Sequence, residues 1–258
     1  MYGKEMIVEI LNSHYGSTGL LKYSESDDEI RFQVPTPIRD PQAAVFRSRA
    51  PVLNELALSH RLSLLAARGK YRLPEDFAFA IKSVESVVHS IDVVHAYDVS
   101  LRLEVITRRR DTITALRSTL TTKYGVESRI TTTSFNVLPP SLANFVRRAR
   151  QFVDFSDVKI SRDKSSLSTV AENHFRYYPS EDDRLSDGRR VDHVPALTLI
   201  DIALSLNGMT HEAVYSNISA EFLNYTDPRL AFDIVQKKDH SAIEFVQNDQ
   251  LVAIVCPN

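Results

Sequence analysis

Two apolar segments of this chain carry an acid in the same place. In ELALS (Glu55 to Ser59) and DIALS (Asp201 to Ser205) the acid is followed by Ala, Leu and Ser at identical spacing, and Leu53 lines up with Leu199 two residues before each acid. The interval between them is far longer than the ~20–50 residues of a solenoid repeat, so the match points to a duplicated domain. Both segments have the spacing of a helix. In the first, Val52, Leu53, Leu56, Ala57, Leu62, Leu64 and Leu65 extend around more than one face, so this helix must be wrapped by protein over most of its circumference. A carboxylate inside such a rod is the feature that any fold for this chain has to explain.

Strand-forming sequence around each helix supplies the wrapping. After ARGKYRLPED the period changes from helical to alternating, and FAFAIKSVESVVHSI, VSLRLEVITRR, DTITALRSTLTTKYG and ESRITTTSFNVLP predict a meander of about four strands. Before the helix, GLLKYSESDDEIRFQVP reads as two extended pieces around an acidic turn. The second half repeats the order: ENHFRYYP as a strand, Pro195 to Asn207 as a helix, then YSNISAEFLNYTDP, RLAFDIVQKKDH and SAIEFVQNDQLVAIVCP as antiparallel strands, with QND as the tightest turn. Residues 1–140 are expected as one domain, 141–168 as a connection and 169–258 as the second domain. A rod apolar all round is most economically buried by a curved sheet with one apolar face. The expected class is therefore α+β, in the form of a double hotdog: two tandem domains, each a curved antiparallel sheet around a central helix. An unrelated two-layer α+β domain is the alternative.

Charge and cysteine content narrow the function classes. A net charge of −2 gives no overall pull toward nucleic acid, and the basic runs RRR (108–110), RRAR (147–150) and GRR (188–190) are local. The one cysteine, Cys256, allows no internal disulfide, which suits a reducing cytoplasm. No stretch approaches the ~20 apolar residues of a spanning helix, and the N-terminus lacks a secretory pattern, so a soluble cytoplasmic protein without a membrane partner is expected. The histidines are scattered and thiolate pairs are absent, so no metal is expected. With 7 glycines and no phosphate loop, no nucleotide cofactor is expected either.

The segment RRVDHVPALTLIDIALSL resembles the second-repeat signature of the A-factor biosynthesis hotdog family, approximately D-H-V-P-G-M-x-x-x-E-A-A-R-Q. Asp192, His193, Val194, Pro195 and Ala203 match, Leu197 stands for Met and Asp201 for Glu. Pro51, Val52, Leu53 and Glu55 are similar to the opening of the family's first central helix, and PPSLANFVRRAR to the segment that closes its first repeat. The chain departs from the pattern at Ala196, where the family has Gly, and at Leu204-Ser205 and Leu58-Ser59, where it has Arg-Gln. The resemblance implies transfer of a β-ketoacyl group from acyl carrier protein to the hydroxyl of dihydroxyacetone phosphate, toward a butyrolactone or butenolide signal. The phosphopantetheine would be carried by the acyl donor, and the protein would hold no cofactor of its own.

Such chemistry needs a base for the hydroxyl proton, donors for the oxyanion and room for the acyl chain. A carboxylate desolvated on a central helix has its pKa raised toward neutrality, which makes Asp201 and its counterpart Glu55 the candidate catalytic acids, with His193 as a donor or orienting group. The plainer role for such acids is a favourable interaction with the helix dipole. Ser59 and Ser205, four residues beyond each acid, share its face and are candidate substrate contacts. His174 and Arg176 share one strand face and are candidates for a phosphate. Arg190 belongs to a basic patch that, like Arg147, Arg148 and Arg150, offers a landing surface for an acidic carrier protein. Three functions compete: the acyltransferase, a hotdog thioesterase or dehydratase acting on acyl-ACP or acyl-CoA, and a non-catalytic acyl-ligand binder. Two hotdogs in one chain supply the interface that single copies obtain by pairing, so monomer and homodimer both stand.

Overall fold

A computed structural model describes residues 9, 22–26, 29–34, 51–149, 164–186, 189–191, 193–207, 217–238 and 241–257. The chain divides into two compact units, Met1–Pro139 with Thr210–Asn217, and Pro140–Met209 with Ile218–Asn258. The expected connection, 141–168, thus groups with the second unit, and its part between Ala149 and Lys164 lies outside the described residues.

In the first unit, β1 (Lys22–Glu25) and β2 (Glu29–Val34) pair antiparallel and Ser26 hydrogen bonds to Glu29, while Asp27 and Asp28 of the expected acidic turn lie outside the described residues. The helix α1 spans Pro51–Tyr71. Proline suits its first position, where the missing N–H has no helical partner to lose. At its other end Arg72 adopts φ 51° and the Leu73 N–H returns to the Arg68 carbonyl at 3.2 Å, a Schellman stop made with arginine instead of glycine. Then come β3 (Ala78–Arg109) and β4 (Thr112–Leu138), of 32 and 27 residues, paired along their whole length. This differs from the expected four-strand meander. The first and fourth predicted segments pair with each other, as do the second and third, so that two strands form one long ribbon. Nothing in SIDVVHAYDV forces a turn: it contains neither Gly nor Pro, and its three valines, isoleucine and tyrosine suit extended backbone. The ribbon instead shifts register between Ser90 and Asp98, opposite Gly125 at φ +59°, and again near each end, between Ile81 and Ser83 and between Val105 and Arg108.

Helix α1 packs on β3 and β4. Its consecutive residues Leu56, Ala57, Leu58 and Ser59 are all buried, so at this turn the helix is enclosed on every side, as its sequence requires. Leu58, Leu62 and Ala66 meet Val99, Leu101, Leu116, Leu120 and Val137 in one core. A leucine such as Leu62, with no exposed surface, contributes about 1.5–3 kcal/mol by that burial.

The second unit begins with α2 (Pro140–Ala149), followed by the hairpin of β5 (Ser166–Ala171) and β6 (His174–Tyr178). Next come the short pair β7 (Leu185–Ser186) and β8 (Arg189–Arg190), then α3 (Ala196–Leu206). Strands β9 (Ile218–Phe222), β10 (Phe232–Gln236), β11 (Ile243–Gln247) and β12 (Gln250–Pro257) complete an antiparallel sheet in the order β9-β12-β11-β10-β6-β5. The alternation of buried and half-buried residues along β10 and β11 is the predicted one-faced pattern. Asn248 and Asp249, both at positive φ, make the tight β11–β12 turn that QND predicts. Helix α3 packs on β12 and buries Leu199, Ile200, Ala203 and Leu204, a single stripe in contrast to α1.

Candidate active site

The twin acids both lie on helices that face a sheet. Glu55 is half-buried on α1, but its Oε2 is closed off from solvent and has no hydrogen-bond partner among the described residues. Burial pushes its carboxyl above the usual carboxylate range, and the nearby Arg129 guanidinium opposes that rise. Desolvation likewise pulls Arg129 down, against the attraction of Glu55 and Glu127. Arg129 projects from β4 and donates from Nη1 to Ser86 Oγ at 3.1 Å. Ser86 in turn lies 3.1 Å from Thr131 Oγ1. Both hydroxyl residues are buried, and they face each other directly across the β3–β4 ladder.

Ser59, one turn beyond Glu55, is fully buried, and its Oγ has no hydrogen-bond partner among the described residues. A turn further, Ser63 Oγ lies 2.5 Å from the Ser59 carbonyl and 2.7 Å from Ser118 Oγ on β4. The interior beside α1 is therefore polar along one seam, made of Ser59, Ser63, Ser86, Ser118, Thr131 and Thr133, all buried. Buried hydroxyls in place of aliphatic side chains cost stability unless they meet partners; Ser63 and Ser118 meet each other, as do Ser86 and Thr131, whereas the Ser59 hydroxyl meets none among the described residues.

Reading the sequence for repeats and family motifs passes over Arg129, although a signal for it exists. In RITTTSFNV the residues Arg129, Thr131 and Thr133 fall in the same alternating phase as Phe135 and Val137, which are buried toward α1; the Phe135 ring lies 5.8 Å from that of His60. A cation and two hydroxyls in the core phase of a strand mark a site.

The second unit presents a different environment. The Asp201 Oδ1 atom on α3 is closed off from solvent. Tyr177 of β6 is near enough for the Asp201 charge to act on it; burial first, then its hydrogen bond to Asp183, hold the phenol strongly protonated. The Tyr177 hydroxyl donates to Asp183 Oδ1 at 2.6 Å, while the Ser180 amide and hydroxyl donate to Oδ2 at 2.6 and 2.9 Å. His193 Nδ1 lies 3.0 Å from the Tyr225 hydroxyl, their rings 4.9 Å apart. The next residue is fixed at both ends of its backbone, since Thr226 Oγ1 accepts from the Val194 N–H at 2.9 Å and donates to the Val194 carbonyl at 3.1 Å. This clamp holds the entry to α3, whose N-cap Pro195 has no side-chain cap. Replacing Thr226 with Val is expected to destabilise the protein by about 1–3 kcal/mol, read as a shift in the denaturant midpoint, because it strands two buried backbone groups. Asp192 lies outside the described residues.

The remaining predicted residues do not gather into one site. Ser205 is exposed whereas Ser59 is fully buried, so the two serines that the repeat makes equivalent are not equivalent in space. The helix α3 is covered on one stripe and Ser205 lies off it. His174 and Arg176 do share a strand face, but an acid takes up both. Arg176 Nε and Nη2 donate to Asp233 Oδ1 at 2.9 and 2.8 Å, and His174 Nε2 lies 3.3 Å from the same oxygen. A phosphate there would have to compete with Asp233. Arg190 lies on β8, paired with Leu185. Among the described residues, no three His, Cys, Asp or Glu side chains gather in a metal-binding set. No described helix is long and apolar enough to cross a membrane.

No protein-family model and no curated protein sequence matches the chain. Among solved structures, it is similar to an acyl-ACP thioesterase from Bacteroides thetaiotaomicron, at 10% identity and a TM-score of 0.50 over 90% of this chain and 99% of that one. It is also similar to HtdX of Mycobacterium tuberculosis, at 9% identity and a TM-score of 0.48 over 100% and 96% of the two chains. A third likeness, at 13% identity and a TM-score of 0.38 over 95% of each chain, is to the dehydratase domain from the CurK module of curacin polyketide synthase. The fold is a hotdog fold, antiparallel sheet against a central helix.

Proposed function

We propose that this protein processes acyl thioesters, with Glu55 as the group that handles the proton. The observation that carries this reading is the Glu55 carboxyl itself: enclosed on the central helix, with an unpartnered Oε2, a raised pKa and a cation beside it. A carboxyl tuned toward neutrality can take a proton from water or an alcohol as it attacks the thioester carbonyl, then return one to the departing thiolate. A carboxylate whose role was merely to satisfy the free N–H groups of a helix start would be hydrogen-bonded and held low. The thioesterase with which the chain shares its fold is named for acyl-ACP, and the same substrate class, on a carrier protein or coenzyme A, is proposed here.

Within that class, transfer of a β-ketoacyl group to the hydroxyl of dihydroxyacetone phosphate is the finer reading, supported by the resemblance of His193-Val194-Pro195 and its clamp on Thr226. Hydrolysis or dehydration by the same carboxyl is the second reading, favoured by the replacement of the family's Arg-Gln pair with Leu58-Ser59 and Leu204-Ser205. A single assay separates them. Purified protein is incubated with saturated, 3-hydroxyacyl and 3-oxoacyl thioesters of coenzyme A and of carrier protein, with and without dihydroxyacetone phosphate, and products are identified by mass spectrometry. A phosphorylated ester establishes transfer, free acid with released thiol establishes hydrolysis, an enoyl thioester establishes dehydration, and no turnover across substrates and chain lengths overturns the proposal.

A further inference from the structure

We propose that Tyr225 is a positioning residue for His193: its hydroxyl donates to Nδ1 and holds the neutral ring as the Nε2–H tautomer, which offers that N–H to the carbonyl oxygen of the thioester. The inference rests on the acyl-thioester reading for its substrate, but its central measurement needs no turnover.

Two consecutive residues grip two others. The Tyr225 hydroxyl lies 3.0 Å from His193 Nδ1, and the two rings are in contact with centroids 4.9 Å apart. Its neighbour Thr226 holds the Val194 N–H and carbonyl through one hydroxyl. The connection from β9 to β10, which carries Tyr225 and Thr226, is pinned on both sides of them. Before them, the N–H groups of Leu223 and Asn224 reach the Val252 carbonyl at 2.9 and 3.3 Å, and Asn224 Nδ2 donates to the Leu251 carbonyl at 2.8 Å. After them, the Gln247 side chain accepts from the Asp227 N–H at 2.7 Å and donates to the Asp227 and Leu230 carbonyls at 2.8 and 3.1 Å. On the other side of the contact, Val194 precedes Pro195, which restricts its backbone to extended conformations. The backbones on both sides thus place the hydroxyl and the imidazole against each other.

The direction of the bond follows from the two groups. A phenol O–H is a good donor whose oxygen, conjugated with its ring, is a poor acceptor, whereas the unprotonated nitrogen of imidazole is a good acceptor. With Nδ1 accepting, the neutral ring carries its proton on Nε2. Stability gains little from this bond. Both side chains are only partly buried, and Val194 is already held by Thr226. What the bond does supply is a fixed ring with a chosen proton, the preparation that a donor to a developing oxyanion requires.

The test is the tautomer of His193, read from its two ring nitrogens by long-range proton–nitrogen NMR at alkaline pH and assigned by loss of the signals in His193→Gln. In the wild-type protein Nδ1 is expected unprotonated and Nε2 protonated. Tyr225→Phe keeps the ring contact and removes the hydroxyl, so both nitrogens should move toward the averaged values of a ring that exchanges its proton between them. Asn224→Ala, which keeps the hydroxyl and loosens its loop, should move them in the same direction by less, and it carries the test if Tyr225→Phe does not fold. A protonated Nδ1 in the wild type, or nitrogens that stay in place in the folded variants, overturns the proposal and leaves the acyl-thioester reading intact. Absence of turnover on every thioester would overturn that reading, and the carbonyl acceptor with it, whatever the tautomer. Where turnover is present, Tyr225→Phe should lower kcat about tenfold with KM little changed, and should cost nothing further in the His193→Gln background. An equal loss of rate in both backgrounds would show that Tyr225 acts by structure alone and would overturn the proposal as well.

Discussion

Replacing Glu55 with Gln is expected to lower kcat/KM on the best acyl thioester by about 10²–10⁴-fold while raising thermal stability at neutral pH. The rate loss is the ordinary contribution of a positioned proton-transfer group. The gain in stability follows from the sign of the shift. Burial raises the Glu55 carboxyl in the folded protein above the ordinary carboxylate range that it keeps in the unfolded chain. Folding therefore favours the protonated form, and stability falls as pH rises from the unfolded value through the folded one. Glutamine has no proton to lose, so the variant escapes that fall. Its advantage in Tm should vanish below about pH 4, where both proteins are neutral at this position, and reach a few degrees near pH 7. Calorimetry across pH, beside kinetics of both proteins, decides the matter. A helix acid with a structural task would give the opposite result, since its replacement would cost stability and leave the rate alone. The corresponding Asp201→Asn variant then shows whether the second unit contributes to the same reaction.

Much of this arrangement is legible in the sequence because it rests on period and repetition. The rod apolar on all sides, its acid, and the alternating strands after it are each a direct imprint of what surrounds them. The turn at Asn248-Asp249 is legible for another reason, as its residues suit the backbone they adopt. Strand β5 is not legible. All of Ser166–Ala171 is exposed, so no side of it has to be apolar, and its serines read as a connection. The β3–β4 ribbon reads as four strands because a bend made by register shifts leaves no punctuation in sequence comparable to a Gly or Pro turn. The site itself is half visible. Repetition exposes the two acids but conceals their difference, for closely matched pentapeptides sit on one helix enclosed on every side and on another covered along a stripe. Burial of Ser59 and exposure of Ser205 are tertiary facts that ELALS and DIALS do not contain.

Truncating Phe245 to Ala is expected to destabilise the protein by about 3–5 kcal/mol, the range for removing an aromatic side chain from a packed core. Phe245 has no exposed surface, and it meets Phe232 edge-on with centroids 6.3 Å apart. Phe232 in turn lies 6.4 Å from the Tyr177 ring, so a ladder of three rings runs across β11, β10 and β6 beneath the sheet face. Its last ring is the one whose surroundings include Asp201. The cavity left at Phe245 would remove the edge contact that holds Phe232, and Tyr177 would lose packing on one side while keeping its hydrogen bond to Asp183. Denaturant unfolding measures the loss. Phe245→Leu, which keeps most of the volume, should recover more than half of it. If the ladder carries order from the core to the second acid, then in Phe245→Ala the Tyr177 ring should show faster flipping by NMR at temperatures where the sheet is intact. An equal loss of stability with an unaltered Tyr177 ring would confine the effect to the cavity and disconnect the core of this unit from Asp201.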